Sequence, residues 1–511
     1  MKLPSLVISL LLAGSALAQT APSDSLFNTD QVVTVNLTFS DPNFWTTLTT
    51  FYANDLGETL TANVTITDNT GTHALPFVEV DLKGNSTYGH PGNKKSFKID
   101  FNDNVSGQKF HGMTKLHFNN CYNDPTLMRE KVFFDHCRDE GVLVPRVLFA
   151  NVYMNGTFWG FYDMVEAVDK NFLDRWVDEN NGNMFKAGDN FGMGGASAAD
   201  LLYYGNDQAS YAARYELKTN ETENDWSDLI ALLDALNNGT NDEVQAELPQ
   251  LFVWNDLLKS LALDNLFGNL DAYINSARNY YIYHDSTTFQ WNWIHWDGNE
   301  SFGKYPAMGV DAVTLSPTYV AANRPLMTKI TTIPALRLDY LNAYCGLRTN
   351  FTNAHLDPRI DAIKALIQDH VNADGNKQFT YAQFLANIES DVTVSGGGGG
   401  GGGQQTIRGL KSFIAARNVS LNGTLDCSTV GVDDVIGGDM VVGPVPCTTE
   451  IRITLPNSQV IEQVIAMDPQ GKSVPILFND RVAEVSHLAP GAYVIVVVTE
   501  GRTWHARFIK K

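Results

Sequence analysis

Two short stretches carry residue types able to do chemistry. Gly268-Asn269-Leu270-Asp271 leads on to Asn279, and Trp296-Asp297-Gly298-Asn299 closes an aromatic run a little later. Each places a carboxylate near a side-chain amide at a loop or strand end. Oxygen donors of this kind suit a hard cation such as Mg²⁺ shared with nucleotide phosphates, so the pattern points to phosphoryl transfer. Asp271 is expected on a loop after a helix, where a carboxylate can orient an acceptor hydroxyl and take its proton. Asp297, with Asn279 or Asn299, is expected to hold the metal. The plain structural reading of Asp297 is a cap on the turn at Gly298, and that of Asp271 is a turn residue.

The partners of such a site are sought upstream. Lys83-Gly84-Asn85-Ser86 reads as a turn that covers phosphates. Lys94, Lys95 and Lys98 enter the next strand, and Lys95 is the one expected to contact phosphate and pair with Glu130 on a following helix. Glu166 falls at the expected junction of two lobes and is assigned to the nucleotide site, as is Trp296, whose ring could stack on adenine. A solvated basic edge is the plain alternative for each lysine.

Several elements must position these residues. Residues 27–169 read as mainly β with one helix. Val32 to Phe39 alternates as a strand, Phe77 to Leu82 and Ser96 to Phe101 flank a turn-rich segment, and Asn155-Gly156 marks a hairpin between Val147–Met154 and Trp159–Glu166. Asp124-Pro125 is expected to open a helix running from about Thr126 to Gly141. Residues 170–425 carry helical spacing, including one long helix over Leu326–Leu347, interrupted by an acidic β-hairpin near residues 279–297. Gly396–Gly403 reads as a flexible loop. Residues 426–447 read as a linker, and 448–511 as short strands of a small β-sandwich.

The chain has 511 residues and a net charge of -21, too long for one core and too acidic for a general nucleic-acid binder. Residues 1–18 read as a signal peptide, with Lys2, an apolar Leu6–Leu12 and Ala16-Leu17-Ala18, so a secreted chain without a membrane span is expected. Sequons at Asn36, Asn63, Asn155, Asn220 and Asn418 could carry glycans in a eukaryotic host. Of the five cysteines, Cys121 with Cys137 and Cys427 with Cys447 could close short loops.

Taken in order, Lys83-Gly84-Asn85-Ser86, Lys94-Lys95-Ser96-Phe97-Lys98, Met128-Arg129-Glu130-Lys131, Val144-Pro145-Arg146, Gly160-Phe161-Tyr162, Gly268-Asn269-Leu270-Asp271, Asn279-Tyr280-Tyr281 and Trp296-Asp297 resemble the CotH kinase family, the spore-coat-protein-H-like secreted kinases. The resemblance runs from about Val78 to Leu425. It implies an α+β, atypical protein-kinase-like two-lobed fold. It also implies ATP and Mg²⁺ (or Mn²⁺) as cofactors and a protein substrate phosphorylated on Ser or Thr. Two positions depart from the family pattern: Lys83 stands where Arg is common, and Asn299 where a second Asp is common. The C-terminal module resembles a type IX secretion sorting domain through Asp468-Pro469-Gln470-Gly471-Lys472, Leu488–Ile495 and the basic end Arg507-Phe508-Ile509-Lys510-Lys511. Two other readings are a kinase-like scaffold without catalysis and a carbohydrate-binding protein prompted by Trp159 and Trp176.

Overall fold

The computed structural model describes residues 22–54, 57–188, 198–395, 404–428, 440–443, 446–455, 461–467, 473–479, 481–499 and 502–511. The expected signal peptide and glycine loop lie outside them. The chain divides into two compact units, one ending at Leu425 and the other starting at Asp426.

The first unit mixes strands and helices, so the fold is α+β. Seven strands close into a barrel: β1 Val32–Phe39, β2 Leu60–Asp68, β3 Gly71–Leu82, β4 Phe97–Asp100, β5 Lys115–Asn119, β6 Val147–Met154 and β7 Thr157–Glu166. Their order is β1-β2-β3-β4-β5-β7-β6, and closure comes from parallel pairing of β1 with β6. Strand alternation fills the barrel: Val33, Val35 and Leu37 of β1, Phe97 and Ile99 of β4, Leu116 and Phe118 of β5, and Tyr162 and Met164 of β7 are buried together. The intervening residues Lys98, Lys115, His117, Asn119 and Asp163 therefore face outward from β4, β5 and β7. The turn between β6 and β7 has both central residues left-handed, Asn155 at φ +46° and Gly156 at φ +78°, as a two-residue hairpin requires.

Helix α1 is the short turn Asp24–Phe27, α2 spans Phe44–Ala53 against the barrel, and α3 is Arg129–Asp139. α3 starts three residues later than the sequence pattern predicts. Leu127 adopts φ +50°, and the Asp124 carboxylate accepts the backbone N–H groups of Met128 and Arg129, doing the work of a cap from outside the helix.

A second antiparallel sheet of the same unit has the order β11-β10-β8-β9, from β8 Asn183–Ala187, β9 Tyr215–Leu217, β10 Tyr280–His284 and β11 Trp291–His295. Helices that include Trp254–Leu266, Asn353–Ala373, Tyr381–Glu389 and Leu410–Thr424 accompany it. The single helix expected over Leu326–Leu347 is two, Pro325–Thr332 and Pro334–Arg348, because Pro334 cannot continue the hydrogen-bond ladder of the first. Among the described residues no helix is long and apolar enough to cross a membrane.

The second unit holds two four-stranded sheets around a core that includes Ile451, Ile495, Val497, Trp504 and Phe508. Two antiparallel sheets sharing one apolar core make a small sandwich. Neither expected disulfide forms: Cys121, Cys137 and Cys447 are free buried thiols, and Cys345 and Cys427 are the disulfide-bonded cysteines.

Candidate active site

The outward face of β4, β5 and β7 meets the loops of the second sheet across a cavity of about 430 Å³. Lys83, Asn85, Ser86, Glu130, Asp271, Asn279, Trp296, Asp297 and Asn299 all line it. These residues span more than two hundred positions of sequence, and the fold alone brings them together.

Asp271 follows the Trp254–Leu266 helix, and Asn279 immediately precedes β10. The Asn279 side-chain amide donates to both the backbone carbonyl and Oδ2 of Asp271, each at 3.0 Å. With its nitrogen committed to Asp271, Asn279 has only its carbonyl oxygen left as a metal ligand. Asp271 Oδ1 accepts no hydrogen bond and lies 3.5 Å from the Arg278 guanidinium. Burial is the main force raising the Asp271 carboxyl to about 8; Glu300 and Asp297 push the same way, against Arg278 and Asn279.

Asp297 sits at the end of β11 with a left-handed backbone, φ +54°, and Asn279 is left-handed as well at φ +62°. Asp and Asn tolerate this region better than other L residues. Gly298 next to it is fixed by close approach: a Cβ there would stand 2.7 Å from the Phe133 ring and 2.8 Å from that of Phe134. Helix α3 therefore packs directly on the corner that presents Asp297.

Glu130, in the first turn of α3, is buried. It accepts the Asn119 amide at 2.8 Å and the Gly298 backbone N–H at 3.3 Å. Burial, with the nearby Asp297 charge, raises its carboxyl to about 7. Lys83 lies at the end of β3 with its ammonium 5.4 Å from the Trp296 ring centroid. Burial lowers Lys83 to about 8, and the charges of Asp297 and Glu130 hold it up from falling further.

Two expected site residues lie elsewhere. The Lys95 ammonium donates to the carbonyls of Tyr88 at 2.7 Å and His90 at 2.6 Å, so it does not pair with Glu130. The cation that shares the field of Glu130 and Asp297 is Lys83. Glu166 is buried against Arg146, whose Nε donates to it at 3.0 Å, and it does not line the cavity. Its place at the end of β7 serves an internal ion pair.

Sequence reading missed the whole contribution of β5. Lys115, His117 and Asn119 line the cavity, as do Asp163 and Arg278. The signal was present in the alternation of Lys115-Leu116-His117-Phe118-Asn119. Buried Asp163 has its carboxyl pushed well up, first by burial and then by Glu130 and Asp124, and the half-buried His117 is pushed well down, first by desolvation and then by Lys83 and Lys98. In a chain of net charge -21, Lys83, Lys98, Lys115, Lys186, Lys218 and Arg278 all line this one cavity.

The family model described as CotH kinase protein matches residues 80–421, about two thirds of the chain. The chain belongs to this family. The matched span begins within β3 and ends in the Leu410–Thr424 helix, so it covers every residue named at the cavity. The CotH chain is also 25% identical, over 312 residues, to the inner spore coat protein H of Bacillus subtilis (strain 168). That match covers 60% of this chain and 82% of the relative.

Proposed function

We propose that this CotH-family chain is a kinase-like phosphotransferase that moves the γ-phosphate of ATP to Ser or Thr hydroxyls of exported proteins. The observation that carries the reading is the convergence of Asp271 and Asp297 on one cavity with Lys83 and Glu130. In this reading Asp271, steadied by Asn279, orients the acceptor hydroxyl and takes its proton. The hydroxyl oxygen forms the new bond to the γ-phosphorus, the bond to the β–γ bridging oxygen breaks, and ADP departs. Lys83 supplies the charge against the phosphates that Lys95 was expected to supply. With the Lys83 ammonium over Trp296, that ring would lie beside the phosphate end of the nucleotide, away from the base.

The donor set fits a divalent cation. The Asp297 charge raises the cost of ionising Asp271, and Asp271 Oδ1 is buried without a hydrogen-bond donor. Asp297, with the carbonyl oxygen of Asn279 or Asn299, would hold Mg²⁺. The ion would screen the phosphate oxygens. An atypical kinase-like two-lobed arrangement, with the barrel as one lobe, belongs to the same proposal. So do export of the chain and a sorting role, of the type IX kind, for the C-terminal sandwich.

Calorimetric titration tests the binding half of this proposal. ATP should bind with Mg²⁺ present, bind weakly without it, and lose the metal dependence in Asp297→Ala. A second reading, a coat-type scaffold without catalysis, is favoured by the relative's name as a spore coat protein and by Asn299 in place of an acid. It predicts no Mg-ATP binding at all.

A further inference from the structure

At the end of the barrel a second group of side chains converges, independent of the cavity and of the proposed kinase reading. Asp68 closes β2, His73 lies on β3 just across the hairpin, and His111 sits on the loop after β4 with a left-handed backbone, φ +47°. Both imidazoles aim Nε2 at one carboxylate oxygen: Asp68 Oδ2 is 2.9 Å from His111 Nε2 and 3.4 Å from His73 Nε2. All three atoms lie within 4.8 Å of one another. Ligand atoms held about 2.0 Å from a tetrahedral zinc stand roughly 3.3 Å apart.

Hydrogen-bond direction supplies a second, independent observation. The Ser25 hydroxyl has one proton and gives it to the Pro22 carbonyl at 2.9 Å. Its contact with His111 Nδ1 at 3.0 Å must then be one it accepts, so the ring proton sits on Nδ1. A neutral His111 consequently turns the bare Nε2 lone pair toward a carboxylate oxygen. Two acceptors at 2.9 Å need a cation between them, either a proton or a metal. A hydrogen bond from the distal ring nitrogen is also what metal-bound imidazoles characteristically have. Thr70 donates to Asp68 Oδ1 at 2.6 Å, which leaves Oδ2 for the shared side. Having given its one proton to Asp68, the Thr70 hydroxyl accepts at 3.1 Å from His73 Nε2, so the His73 proton sits on Nε2 and must leave or move to Nδ1 on metal binding.

We infer that Asp68, His73 and His111 form a transition-metal site of the zinc class, with two imidazoles, one carboxylate and an exchangeable fourth position. Two nitrogens and one oxygen favour Zn²⁺ over Mg²⁺ or Ca²⁺, which prefer all-oxygen shells. His73 is the most exposed of the three, with 35% of its side chain open to solvent. An ion could therefore enter without unfolding the barrel.

The test is metal stoichiometry on the full chain, stripped with a chelator and titrated with Zn²⁺ against a chromophoric competitor. Wild type should take up one more equivalent than His73→Gln, and Asp297→Ala should keep that equivalent. Asp68→Asn should weaken it about tenfold or more. Co²⁺ in its place should give visible absorption bands in wild type and not in His73→Gln. Equal uptake by wild type and His73→Gln, or uptake at millimolar zinc only, overturns the assignment, and the convergence is then a protonated His–Asp pair.

Discussion

The Glu130 carboxylate, in the first turn of α3, accepts the backbone N–H of Gly298, the residue that follows Asp297. The helix and the Asp297 corner are thereby tied through one side chain, and the Phe133 and Phe134 rings against Gly298 close the same joint. Any shift of α3 must move Asp297.

Glu130→Gln keeps the size of the side chain and removes its charge. Lys83 then loses one of the three carboxylate charges that hold it protonated, and the corner loses its charge-assisted bond. The expected outcome is a fall in phosphate transfer of about 100-fold with little change in folding, checked by steady-state kinetics beside a melting curve. Gly298→Ala should damage both, since its Cβ has no room.

The two lysines should separate cleanly. Lys83→Met should abolish the Mg-ATP response. Lys95→Met should leave nucleotide binding within a fewfold of wild type and cost about 1 kcal/mol of stability, because it removes hydrogen bonds to two backbone carbonyls. Titration calorimetry on both variants reads the contrast. A larger nucleotide defect in Lys95→Met would return that residue to the site.

How much of this was readable beforehand follows the range of the forces involved. β1 has the bounds its alternation indicates, and the Asn155-Gly156 turn announces itself, because both are local. Asp271, Asn279 and Asp297 were identifiable as oxygen donors at strand and loop ends. The choice among lysines was not, since it depends on distant partners: Lys94 is buried against Asp374 at 2.8 Å, and Lys98 reaches Asp81 at 3.2 Å. Barrel closure through β1 and β6 is equally non-local. Leu127 at φ +50° broke a helix that propensity alone would have extended, because the Asp124 carboxylate caps α3 from a distance.

Proton uptake gives a further handle. Glu130 and Asp271 keep their protons to about pH 7 and about pH 8, whereas free carboxyls lose them near pH 4. Between those limits the folded chain holds more protons than the unfolded one, so stability from these groups falls as pH rises from about 4 to about 8. Lys83, lowered to about 8, acts in the opposite sense above that pH. A divalent cation favours the ionised carboxyls, so the rise in melting temperature caused by Mg²⁺ should be larger at pH 8 than at pH 6. An equal rise at both would place the ion elsewhere.

Arg129 holds the site to the rest of its unit. It is fully buried, with Nε donating to Asp124 at 2.9 Å and a terminal nitrogen to Asn387 at 2.7 Å. Arg129→Met leaves Asp124 buried without its cation and should cost about 3–5 kcal/mol, measured by denaturant unfolding.

The most direct test of the central claim is transfer itself. The purified chain is incubated with γ-labelled ATP, Mg²⁺ or Mn²⁺ and a Ser-rich acceptor protein, beside Asp271→Asn and Asp297→Ala. The account predicts label on the acceptor, or on the chain itself, with wild type and none with either variant. Label that persists in both variants, or none from wild type with either metal, would contradict it.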